Sequence, residues 1–161
     1  MSLVRVAAIS ATVTWLRESG AGVRRPGEIT VLAHLNWISI AVASLATFLV
    51  GGPWYSAALF GKRWTEAMGH AATKPGHPAK VFGLAYLFSF VAASLLAALM
   101  APSATLAGGL RLGALVGTCF VAASFGINYQ FANRPWSAFL IDGGYSLVQF
   151  GIMGAVLGAW P

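Results

Sequence analysis

Four long stretches of this chain carry essentially no charge, and that spacing limits what it can fold into more than any other feature. Residues 29–61, 81–110 and 112–133 contain no Asp, Glu, Lys or Arg, and 135–161 contains only Asp142. A helix that crosses a bilayer needs roughly 20 predominantly apolar residues at about 1.5 Å rise each. Each stretch is long enough to cross, and the first two also leave room for a loop. The expected fold is all-α, a four-helix transmembrane bundle of up-down topology, and the first expected partner is the lipid bilayer.

Composition agrees, with 58% hydrophobic and only 9% charged residues, against about 25% charged in an ordinary soluble domain. The net charge of +6 does not point to nucleic acid, because the Lys and Arg residues lie at the ends of apolar segments instead of forming a stripe on one polar face. They read as membrane anchors. Cys119 is the single cysteine, so no intramolecular disulfide can form and the redox compartment is not indicated.

Residues 1–33 differ from the rest, with Arg5, Arg17, Glu18, Arg24, Arg25 and Glu28 around a modest apolar run. This N-terminal extension reads as interfacial, disordered, a cleaved signal, or the product of a mis-assigned start. The membrane domain is expected over 34–161, with helices at about 35–59, 79–100, 110–131 and 136–160. Asn36-Trp37 opens the first, and Pro53 in Gly51-Gly52-Pro53-Trp54-Tyr55 should kink or interrupt its far end. A polar connection runs from Gly61 to about Pro78, Pro102 stops the second helix, and Ala132-Asn133-Arg134-Pro135 turns the chain into the fourth.

Four crossings sort the loops onto two sides. Lys and Arg tie at five against five over the whole chain. Without the extension, the positive-inside rule places the 61–78 loop in the cytoplasm and both termini outside, as for a multi-pass protein of a bacterial cytoplasmic membrane. Trp37 and Trp160 fall at one interface, and Trp54, Trp64 and Trp136 at the other, as an aromatic belt requires.

Ionisable groups inside a membrane are costly and are functional suspects by default. Asp142 lies about six residues into the fourth helix, roughly 9 Å below the interface. Asn128, Arg134, Trp54 and Tyr55 belong to the same leaflet by topology, and helical spacing puts Tyr145 and Gln149 on the Asp142 face. These seven residues are the candidate polar binding cluster. The alternative is structural: Asp142 pairs with Arg134 and caps the turn, Asn128 is interhelical glue, and Trp54 and Tyr55 are interfacial anchors. Gly144, Gly151 and Gly158 form a smooth stripe on the fourth helix, and Gly113 and Gly117 share a face of the third with Ser124 and Asn128. Small residues let helices approach closely in lipid, so both faces should pack against a helix or a second protomer.

No phosphate-binding glycine loop, zinc-protease helix or nucleophile elbow is present. His34, His70 and His77 are joined by no acidic or Cys cluster, so neither metal nor cofactor is expected. No nucleophile and base stand at a sensible spacing, which argues against an enzyme.

Asn36-Trp37, Gly52-Pro53-Trp54-Tyr55, Leu59-Phe60-Gly61-Lys62 with Trp64, Asn128-Tyr129 with Phe131 and Arg134, and Gly144-Tyr145 with Met153-Gly154 resemble the domain-of-unknown-function 1761 family of small membrane proteins. The resemblance covers about residues 35–160 and implies a compact four-helix membrane protein, with no established activity. It also implies that the position of Asp142 is often Asn, which favours a hydrogen-bonding role there over an obligatory proton-carrying acid. Two functions follow as expectations. One is a non-enzymatic accessory or structural membrane subunit, a homo-oligomer or joined to a membrane-protein partner through its glycine faces. The other is a small oligomeric transporter or channel with its polar site in one leaflet.

Overall fold

The computed structural model describes residues 35–69, 76–101 and 103–161, and these form helices with no strand among them. Four helices are long and apolar enough to cross a membrane: α1 (Trp37–Trp54), α3 (Pro78–Ala98), α4 (Leu106–Phe131) and α5 (Trp136–Ala159). A fifth, α2 (Gly61–Met68), lies in the polar connection between the first two long helices, where no helix was expected. The 1–33 extension, His34, His70 and Pro102 lie outside the described residues.

Each helix begins and ends for a local reason. Asn36 caps α1, its Oδ1 accepting from the Ser39 amide at 3.1 Å, which satisfies a donor the first turn cannot use internally. The helix tightens at Leu45, whose N–H reaches the Val42 carbonyl at 3.0 Å, and stops at Trp54 instead of near residue 59. Pro53 removes a backbone donor there, and the chain closes a run of turns in which Phe60 donates to the Trp54 carbonyl at 3.1 Å. Helix α4 starts four residues before the expected position, because Thr105 caps it through the Gly108 amide at 3.2 Å.

Within α4 the segment Gly117–Ala122 is π-helical. The wider turn absorbs one extra residue, so every side chain beyond it sits about one position out of phase with a straight α-helix.

Helix α5 is the centre of the bundle: 11 of its 24 residues are buried within the protein, against three in α3 and four in α4. Ile40, Ala43 and Ala46 of α1, Ala93 and Leu96 of α3, and Phe150, Met153 and Leu157 of α5 form the apolar core. On the other flank, α4 and α5 pack backbone against backbone. A Cβ on Gly109 would collide with the Gly154 carbonyl oxygen, one on Gly113 with that of Phe150, and one on Gly158 with that of Thr105. The glycine faces of the two helices therefore close on each other inside one chain, as small-residue faces do in lipid. Gly144 takes no part in this seam, since the space above it is filled by the Trp54 ring, 3.1 Å from where a Cβ would stand.

The outer surface is apolar over most of its height, with Leu49, Phe88 and Phe120 each about 70% exposed. Such a surface is compatible with a multi-pass membrane protein, in which lipid covers what the bundle does not.

Candidate functional site

Asp142 is 5% exposed and stands where α1, α2, α4 and α5 converge. Its carboxylate accepts three side-chain donors. The Tyr55 hydroxyl binds Oδ1 at 2.6 Å, the Tyr129 hydroxyl binds Oδ2 at 2.6 Å, and the Trp64 indole N–H is shared between the two oxygens at 2.9 and 3.2 Å. Indole N–H can only donate, and with the Trp64 N–H shared the three donors make four contacts, as many as the roughly four lone-pair positions of a carboxylate. Bonds to a charged acceptor are short and are worth more than neutral ones, about 1.5–3 kcal/mol each.

The backbone explains how each donor arrives. Tyr55 is the first residue past α1, released by the end of the helix at Pro53 and Trp54. Trp64 comes from the middle of α2, whose first residue, Gly61, lies so close to the Tyr55 and Ser56 carbonyls that no Cβ could fit. At the other end of α2, Arg134 donates through Nη1 to the Met68 carbonyl at 2.7 Å, a cation satisfying a free C-terminal acceptor. Burial, and then the Asp142 carboxylate, push the Tyr55 hydroxyl above the ordinary tyrosine range, which keeps it a donor.

The candidate cluster is thus divided. Tyr55 reaches Asp142 and Trp54 sits beside it, its indole N–H donating to the Ile141 carbonyl at 3.0 Å. Arg134 does not pair with Asp142; the α2 carbonyl takes its guanidinium. Tyr145 and Gln149 share the α5 face but bind elsewhere: the Tyr145 hydroxyl donates to the Thr47 carbonyl at 3.1 Å, and the Gln149 amide to Thr47 Oγ1 at 2.7 Å. Asn128 is exposed and donates to the Ser124 carbonyl of its own helix at 2.9 Å. The π segment is the reason, because it brings Tyr129 to the face that a straight helix would give to Asn128.

Trp64 and Tyr129 are the two ligands of Asp142 that sequence reasoning missed. A signal existed for Trp64, since Trp64 and Met68 lie four apart and would share the apolar face of a short helix. Tyr129 stood in a family-like motif, but its facing could not be read, because nothing in Gly117–Ala122 announces a π turn.

A second polar chain lies deeper in the bundle. Ser89 donates to the Ser44 carbonyl at 2.8 Å, so its 2.6 Å bond to Thr47 must be donated by Thr47, which in turn accepts from Gln149. The three steps join α5, α1 and α3. Among the described residues no buried side-chain nitrogen or oxygen lacks a partner, and no group of three His, Cys, Asp or Glu could hold a metal ion.

An open cleft of about 420 Å³ lies beside the site, lined by Tyr55, Ala57, Gly61, Lys62, Thr65 and Glu66. It lies along α2 and the turn before it, while the carboxylate itself is covered.

No curated protein and no solved structure matches this chain. A family model described as a protein of unknown function (DUF1761) matches residues 38–158. The match spans all four apolar helices but for one residue at each outer end and covers well over half of the sequence, so the chain belongs to the DUF1761 family.

Proposed function

We propose that the protein is a non-enzymatic structural or accessory subunit inserted in the bacterial cytoplasmic membrane, and that Asp142 is the latch that holds its polar end together. The observation that supports this reading most is the complete use of the carboxylate: three donors from three helical elements meet both oxygens, which leaves little for a ligand to bind. The glycine faces of α4 and α5 are consumed within the chain, so a second copy or a partner subunit meets the outer apolar faces.

The alternative is a small oligomeric transporter, and one observation favours it: Tyr55 touches both the buried carboxylate and the open cleft. Replacing Asp142 by Leu separates the two. The latch reading expects the variant to lose thermal stability in mild detergent by about 3 kcal/mol or more, since three donors lose their acceptor, and to fall in membrane abundance. Asp142→Asn keeps one acceptor oxygen and loses less, about 1–2 kcal/mol. A variant that assembles normally, melts like the parent and loses only solute flux in proteoliposomes would overturn the latch.

A further inference from the structure

The cleft beside Tyr55 combines features that the latch does not use. It lies at the level where α1 ends and the apolar span gives way to the turn at 55–60. Helix α2 forms its wall, held in place by Trp64 on Asp142 and by Arg134 on the Met68 carbonyl. With Trp64 turned inward, Lys62 and Glu66 project outward four residues apart, on one face of the helix and both lining the cleft. Thr65 Oγ1 donates to the Gly61 carbonyl at 2.8 Å, so its free lone pairs can accept a further donor. Ala57 adds an apolar edge to the lining, and Leu59, two residues further along the same turn, is exposed.

A cation and an anion on one short wall, next to an apolar edge at the membrane boundary, match a zwitterion that carries hydrocarbon. We infer that the cleft is a phospholipid headgroup site for the phosphatidylethanolamine class, with Lys62 on the phosphate and Glu66 and Thr65 on the primary ammonium. The inference rests on the membrane reading proposed above. About 420 Å³ is within the usual range for small-ligand sites. Glu66 supplies the selectivity. It accepts N–H bonds from an ammonium, whereas a choline headgroup has none to give and a glycerol headgroup has no positive charge for the carboxylate to meet.

The test reconstitutes the full chain in nanodiscs of equal parts phosphatidylethanolamine, phosphatidylcholine and phosphatidylglycerol, strips them partly with detergent, and identifies the lipid retained by native mass spectrometry. Phosphatidylethanolamine is expected to be enriched about tenfold over the other two, and Lys62→Ala and Glu66→Gln each to remove most of that enrichment, in line with one charge-assisted bond. Arg63→Ala, a neighbouring cation that does not line the cleft, should leave it unchanged. Equal retention of phosphatidylglycerol, or loss of enrichment only with Arg63→Ala, overturns the site and leaves an unselective basic surface. Failure of the parent chain to insert would instead overturn the membrane reading itself, and the two failures are distinguished by flotation with vesicles before the lipid count.

Discussion

At the scale of single residues, the decisive fact is which of two neighbours on α4 faces Asp142. Tyr129 does, and Asn128 does not. Tyr129→Phe removes one bond to a buried carboxylate and is expected to cost about 1–2 kcal/mol, the upper part of the range for polar contacts between membrane helices. Asn128→Ala removes only a contact to its own helix and should cost less than about 0.5 kcal/mol. Chemical or thermal unfolding in one detergent ranks the pair, and the reverse order would mean that Asn128 holds the site. Asp142 was legible as the one acid in 135–161 because an isolated charge in an apolar stretch is conspicuous. Tyr55 was legible because a proline stands two residues before it. Arg134 was misread through proximity in sequence: eight residues from Asp142, it found another acceptor at the end of α2, a helix within the segment that reads in sequence as a polar connection.

At the scale of elements, the charge-free apolar stretches located all four long helices, and their ends moved by up to five residues where a cap or a proline overrode the pattern. Thr105 brought α4 forward, and Pro53 cut α1 short. The phase of α4 could not be read, because a π turn depends on packing against α5 and has no residue signature of its own. That packing makes a sharp prediction. Gly113→Ala would drive a methyl into the Phe150 carbonyl and is expected to destabilise by about 1–3 kcal/mol or more. Gly83→Ala on α3 meets open space and should be neutral or stabilising by up to about 1 kcal/mol. The π segment makes another. Because it already holds one residue too many for an α-helix, deleting the exposed Phe120 returns α4 to regular geometry and leaves Tyr129 on Asp142. Deleting Leu87, equally far inside α3 and also exposed, rotates everything beyond it by about 100°. Folded yield and melting temperature of the two deletions should therefore differ strongly in favour of the Phe120 deletion, and equal damage would argue against a functional π turn.

At the scale of the whole molecule, one helix organises the rest. Along α5 the chain meets the Asp142 latch at one end, the Gln149–Thr47–Ser89 relay in the middle, and the glycine seam with α4 on its flank. Under the proposed membrane reading, lipid exerts little hydrophobic force between helices, so close backbone approach and buried hydrogen bonds supply what a water-driven core supplies elsewhere. The architecture uses both, with close backbone contact along the α4–α5 seam and polar ties from α5 to α1, α2 and, through Tyr129, α4, while α3 is joined through Thr47. The central claim is that the carboxylate and its donors act as one unit. A double-mutant cycle between Asp142→Ala and Tyr129→Phe, read as unfolding free energy in a single detergent, tests it most directly. The latch predicts that Tyr129→Phe loses most of its cost once Asp142 is gone, with a coupling of about 1 kcal/mol or more, whereas additive costs agreeing within about 0.3 kcal/mol would contradict it.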